Sequence, residues 1–203
     1  LEVGLALLSA IAGYELMKCM GATGVWRRAA AAAAGVHVLS VSFAGGDVEP
    51  LLLGYVIAFF LCAILKGGQI PVQLVLGALF ASIAIPYGFT AFLRIHAAGH
   101  RGYLLLPFIF SFASDTFAFF AGHLFGKHKL APKVSPHKTV EGAVGGLAGN
   151  VVCGLAFAYG MNTWFGQSLD YLTIALVGLG CSVVAQIGDL SFSYIRREFG
   201  IKD

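Results

Sequence analysis

Ala185-Gln-Ile-Gly-Asp189-Leu-Ser-Phe-Ser193-Tyr-Ile-Arg196-Arg197-Glu-Phe-Gly-Ile-Lys202-Asp203 opens inside an apolar run and closes in a burst of charge. Read as a helix, it sets Ser182, Gln186, Asp189, Ser193 and Arg196/Arg197 at steps of three and four, on one face. Ile187, Leu190, Tyr194 and Ile195 fall largely elsewhere. A polar stripe running down an apolar helix to a cationic end is costly in lipid, so it should face a protein interior or a water-filled cleft.

The rest of the chain sets the solvent for that helix. Of 203 residues, 58% are hydrophobic and 11% charged, with a mean hydropathy of +0.84. So little charge excludes an ordinary soluble domain and points to an all-α, polytopic membrane protein. No polar segment is long enough to fold as a soluble domain. Cys19, Cys62, Cys153 and Cys181 are scattered over separate apolar runs without a CxxC pair, so they read as small buried hydrophobes.

Seven helices are expected, over 1–17, 29–44, 51–65, 71–93, 103–125, 139–159 and 171–197. The first four form an N-terminal part, 1–102, and the last three a C-terminal part, 103–203. Glu15 reads as an interfacial acid and His37 as a packed, satisfied histidine. His96 and His100 lie four apart, with no third metal ligand nearby. Pro86 falls late in the fourth helix, and 45–50, 66–69 and 126–138 read as turns or loops.

Alternating these loops across a bilayer puts Lys18, Arg27, Arg28, Lys66, Lys127, Lys129, Lys133, Lys138, Arg196, Arg197 and Lys202 on one side. Only Arg94 and Arg101 fall on the other. Eleven cations against two mark the first side as cytoplasmic. The basic loop 126–138 and the charged end 196–203 therefore share a side.

Three acids lie in or beside apolar runs of the second half: Asp115, Glu141 and Asp189. An acid at mid-helix costs roughly 2.5–3.5 kcal/mol on insertion, so each calls for a function or a specific partner. Ser111, Ser114 and Asp115 share a face. Gly142 with Gly146, and Gly145 with Gly149, are spaced for close helix approach. Glu141 suits the positive end of the sixth helix. A phosphate suits it too, with Lys133, Ser135, Lys138 and Thr139 nearby. A basic loop beside a membrane also simply meets anionic headgroups. Oxygen ligands for a hard cation, cations for phosphate and an apolar surround together suggest phosphoryl or nucleotidyl transfer onto a lipid.

Ser193-Tyr-Ile-Arg196-Arg197-Glu-Phe-Gly-Ile-Lys202-Asp203 resembles the first half of the signature of the phosphatidate cytidylyltransferases, the CDP-diacylglycerol synthases. That signature runs Ser, any, aliphatic, Lys or Arg, Arg, four positions, then Lys-Asp. The stretch Ser114-Asp115-Thr116 through Gly126-Lys127-His-Lys129, Pro132-Lys133-Val-Ser135-Pro136-His-Lys138-Thr139-Val-Glu141-Gly142 resembles the bacterial members, and Gln186-Ile-Gly188-Asp189-Leu fits as well. The resemblance is specific over 110–203 and generic before it. It implies an integral protein of the bacterial inner membrane with a cytoplasm-facing site, joining CTP to phosphatidate to give CDP-diacylglycerol and pyrophosphate. It also implies Mg2+, with a second cation left open.

In that reading Asp189 takes the metal and Asp189, Lys202 and Asp203 are catalytic. Lys133, Ser135, Lys138, Thr139, Ser193, Arg196 and Arg197 bind substrate, while Asp115, Glu141 and Gln186 shape the polar cavity. The partners are CTP, phosphatidate and membrane lipid, with no nucleic acid and with a homodimer left open. The family continues into a Pro-x-His-Gly-Gly segment and a further acidic motif. The chain opens at Leu1 inside an apolar run and stops before those motifs, so it is expected to be trimmed at both ends and inactive alone. The alternatives are a CTP-dependent polyprenol- or phytol-type lipid kinase, an ion-coupled transporter using Asp115 and Asp189, and a scaffold.

Overall fold

The structure, a computed structural model, describes residues 1–43, 48–99 and 101–200, with the backbone alone at 101. Asp47, His100, Lys202 and Asp203 lie outside the described residues. The described chain forms seven α-helices and one short β-hairpin: α1 (Glu2–Cys19), α2 (Gly24–Phe43), α3 (Glu49–Leu65), α4 (Val72–Ala97), α5 (Leu106–Phe125), β1 (Lys129–Ala131), β2 (Ser135–Thr139), α6 (Val140–Trp164) and α7 (Tyr171–Glu198). A 3-10 turn over Arg101–Leu105 leads into α5.

The chain divides into two compact units, Leu1–Arg101 and Gly102–Asp203. In the first, α1, α2 and α4 pack against one another and α3 lies on α4. Leu5, Ala6, Val38 and Leu93 form a buried cluster there. Small residues let these helices close together: Ala30 and Ala34 are fully buried, and the alanine run of α2 lies along α1. His37 is buried, with Nδ1 3.1 Å from the Ser82 carbonyl. Glu15 pairs with Lys18 on an exposed face at 3.2 Å.

In the second unit α5 packs along α6, and α7 lies against both. Phe110, Ala158 and Ile174 make its buried cluster. Thr139 caps α6, its Oγ1 accepting from the Gly142 amide at 3.1 Å. Asp170 caps α7, accepting from the Thr173 amide and hydroxyl, each at 2.7 Å. Both caps satisfy amides that a helix start leaves open.

The outer faces carry Phe120, Leu124, Val144, Val152, Leu172 and Val184, all exposed. So much apolar surface on a folded chain needs lipid to cover it. Among the described residues, four segments are long and apolar enough to cross a bilayer: 72–97, 102–125, 140–164 and 171–198. The protein is an integral membrane protein of the all-α class. At 28 residues, α7 spans about 42 Å at 1.5 Å per residue, more than the ~30 Å hydrocarbon core.

Candidate active site

The site is built by the way α5, α6 and α7 approach one another. Gly122 of α5 faces Gly142 of α6. A Cβ at Gly142 would sit 2.8 Å from the Ala118 carbonyl oxygen and 3.3 Å from the Gly122 Cα. At Gly145 a Cβ would collide with Ala121 and come within 3.0 Å of the Phe117 carbonyl oxygen. These glycines let the two backbones meet, as small residues do between membrane helices. Gly178 plays the same part between α7 and α6, where a Cβ would lie 3.1 Å from the Asn150 carbonyl oxygen.

The loop expected at 126–138 is a hairpin instead. Strands β1 and β2 pair antiparallel, Lys129 opposite Thr139 and Ala131 opposite Ser135, with an irregularity between the two pairs. The Val134 amide closes the turn on the Ala131 carbonyl at 3.1 Å, and the Val140 amide reaches the His128 carbonyl at 2.9 Å. Glu141 fastens the hairpin to α6. Its two carboxylate oxygens each accept from the His128 amide at 3.2 Å, and Oε1 lies 2.6 Å from His128 Nδ1.

Between the hairpin and the three helices lies a cavity of about 610 Å³. Asp115, Lys138, Thr139, Gln186 and Asp189 all line it, with Ser114 at its wall. The side chains of Lys138 and Asp189 form an ion pair. A strand residue and a helix residue 51 positions apart thus meet at one point. Deeper in the wall, Ser114 and Ser182 hydroxyls share a hydrogen bond of 3.0 Å. The Gln186 amide nitrogen donates to Ser182 Oγ and to the Ala143 carbonyl oxygen, both at 3.1 Å. This network ties α5, α6 and α7 together through atoms that lipid could not satisfy.

The other expected site residues stand apart from these. Glu141 is not among the cavity-lining residues; it holds His128. Lys133 and Ser135 lie in the hairpin, away from the lining. Ser193 is buried and accepts from Arg196 Nη2 at 3.5 Å. Arg196 lies seven residues beyond Asp189, two turns and about 10 Å further along nearly the same face. Arg197 is exposed beside it. His123, Lys129 and His137, none of them an expected site residue, also line the cavity. Lys129 and His137 belong to the basic stretch 126–138, whereas His123 lies in the last turn of α5.

Among the described residues no group of three His, Cys, Asp or Glu gathers as a metal site. The cavity offers two carboxylates, Asp115 and Asp189. That set fits a cation which keeps water and draws its remaining ligands from substrate phosphates, as Mg2+ does. It does not fit a cation caged by protein alone.

A model of the cytidylyltransferase family matches residues 3–203. The chain belongs to that family. Among curated relatives, the phosphatidate cytidylyltransferase of Staphylococcus haemolyticus (strain JCSC1435) is 36% identical over 128 residues, covering 62% of this chain and 48% of the relative. The enzymes of that name from Staphylococcus aureus (strain COL) and Staphylococcus epidermidis (strain ATCC 12228 / FDA PCI 1200) are 36% identical over 133 residues and 35% over 129, with the same coverage. The chain spans about half the length of the curated relatives it matches.

Proposed function

We propose that this protein carries the cytidylyl-transfer site of a CDP-diacylglycerol synthase. Phosphatidate and CTP would give CDP-diacylglycerol and pyrophosphate. The observation that carries this reading is the meeting of Lys138 and Asp189 at a polar cavity inside an otherwise lipid-facing helix group. Membership of the family supplies the reaction class.

In the reaction a phosphate oxygen of phosphatidate attacks the α-phosphorus of CTP. A new P–O bond forms, the bond from the α-phosphorus to the bridging oxygen breaks, and pyrophosphate leaves with that electron pair. The attacking phosphate monoester is already anionic near neutral pH, with a second pKa of about 6. No strong general base is needed. The work left to the protein is to hold two polyanions together and to spread the leaving charge.

Lys138 takes phosphate from the hairpin side, Lys129 extends that cationic wall, and His137 stands beside it as a hydrogen-bonding group. Arg196 and Arg197 receive the outer phosphates from the end of α7. Lys133, Ser135, Thr139 and Ser193 complete the polar surround. Asp189 and Asp115 would hold Mg2+, which supplies charge neutralisation across the reacting phosphates when bound. The apolar flanks of α5 and α6 leave the diacylglycerol chains in the bilayer.

Crossing of the bilayer by all seven helices, taken with the positive-inside bias, would put the hairpin and the end of α7 on the cytoplasmic side of the inner membrane, where CTP is found. The test is product analysis with the protein in mixed micelles of phosphatidate. Pyrophosphate with CDP-diacylglycerol supports the proposal. CDP with a phosphorylated lipid would replace it by the lipid-kinase reading.

A further inference from the structure

Gln186 is the one carboxamide among the described cavity-lining residues, and half of its bonding capacity is committed. Nε2 donates to the Ala143 carbonyl oxygen and to Ser182 Oγ. A main-chain carbonyl only accepts, so the atom facing Ala143 must be the nitrogen. Turning the amide over would set its oxygen against that carbonyl. The neighbouring helix makes room for this arrangement with Gly146, where a Cβ would fall 3.2 Å from Gln186 Nε2 and 3.0 Å from the Ser114 carbonyl oxygen. Oε1 has no donor among the described residues, and it is not one of the buried atoms sealed away without a partner. A fixed, accessible acceptor therefore stands in a cavity otherwise marked by cations and carboxylates.

We propose that Gln186 selects the nucleotide base, its Oε1 accepting the 4-amino group of cytosine. This rests on the cytidylyl-transfer reading above. Cytosine carries an N–H donor at the position where uracil carries a carbonyl oxygen. A freely turning glutamine would serve either base by exchanging its two ends. One locked by Ala143 and Ser182 serves only the donor, because uracil would bring two acceptors face to face. Gln186 stands three residues before Asp189, one turn or about 4.5 Å along α7. The base would thus lie one turn deeper than the reacting phosphates.

The experiment is direct nucleotide binding to the intact protein in detergent, comparing CTP, UTP and a CTP analogue with hydrogen in place of the 4-amino group. Wild type should bind CTP at least about tenfold tighter than the other two, the discrimination expected of one satisfied polar contact in a sheltered site. Gln186→Met keeps the side chain's length and removes its acceptor. In that variant the three ligands should converge on the weaker value, with UTP affinity unchanged. Retained discrimination overturns the assignment, as does an equal loss for all three ligands, which would signal packing or a ribose contact. If Gln186→Met does not fold, the wild-type comparison decides alone: equal affinity for CTP and the analogue overturns it. A wild type that binds no nucleotide overturns the cytidylyl-transfer reading itself. Undiminished use of UTP in cytidylyl-type transfer overturns only the role of Gln186.

Discussion

Replacing Asp189 by Asn separates the structural from the chemical value of its carboxylate. In the ion pair with Lys138, the Asp189 side chain is 51% exposed and that of Lys138 is 24% exposed. With one partner half in solvent, the pair should add no more than about 1 kcal/mol to stability. For a chain of this size that is a fall in melting temperature of no more than about 4 °C. The chemical loss should be far larger. A carboxylate that positions charge against reacting phosphates is worth at least about a hundredfold in turnover. The assay is CDP-diacylglycerol formation from labelled CTP in phosphatidate micelles, beside thermal unfolding in the same detergent. Lys138→Met and the double variant complete a cycle. The stability cycle should show weak coupling, and the turnover cycle strong non-additivity, because the two residues act on the same phosphates. Turnover of Asp189→Asn within tenfold of wild type would refute the reasoning. So would a loss of several kcal/mol of stability with unchanged turnover per folded molecule, since the pair would then be a structural tie.

Gly145→Ala should destabilise the protein by about 1–3 kcal/mol, since the new methyl falls on Ala121 and against the Phe117 carbonyl; unchanged thermal unfolding would mean that α5 and α6 are not held this closely. Glu141→Ala should free His128 and expose the hairpin to limited proteolysis between residues 129 and 135, raising KM for nucleotide more than it lowers kcat, and an intact hairpin in that variant would show that the clamp is redundant. Thr139→Val keeps shape and loses the cap on the Gly142 amide, a cost of about 0.5–2 kcal/mol, whereas Thr139→Ser should stay close to wild type in unfolding assays. Asp170 is held below its ordinary carboxyl pKa of 3.8 by the Thr173 hydroxyl first and the Thr173 amide second. Its folded-state pKa is depressed, so its contribution is present above pH 3.8 and is lost as pH falls through the folded value; Asp170→Ala should flatten that acid-side loss in a pH series of melting temperatures.

Helix content was legible because apolar runs of helical length punctuated by Gly, Pro and charge leave few alternatives. The helix ends were less so. Helix α4 runs on to Ala97, four residues past the expected end, because nothing before Gly99 stops it. Gly99 has a positive φ of 81°, which suits a helix exit. The hairpin was not legible. Ser135-Pro-His-Lys-Thr139 has no alternation of apolar and polar residues and carries a proline. Backbone pairing and the Glu141 clamp form it, and neither leaves a period in the sequence. The polar face of α7 was readable from spacing alone. That Gln186 crosses α6 to the Ala143 carbonyl was not, because it depends on the room left at Gly146. The contact between residues 138 and 189 joins a strand to a distant helix, and no local pattern encodes it.

The division of polar atoms within the second unit carries the functional argument further than their number does. A polar group inside an apolar helix group must find a partner or cost several kcal/mol. Ser114, Ser182 and the Gln186 nitrogen find theirs in one another and in Ala143. Glu141 finds His128. These groups explain their own presence by tying helices and hairpin together. Asp115 and the Gln186 oxygen are different: no described residue bonds to either, and both side chains stand at the cavity. Asp189 has only a lysine on a hairpin strand, half open to solvent. The open acceptors of Asp115, Gln186 and Asp189 belong to residues around a single space, and the cations Lys129 and Lys138 line the same space; the buried Asn150 Oδ1 also lacks a partner among the described residues but stands outside that lining. A ligand carrying phosphates for the cations, a metal for the carboxylates and a donor for the amide would satisfy these cavity-lining groups together, and a nucleoside triphosphate with its cation, bearing an amino-substituted base, has those three features.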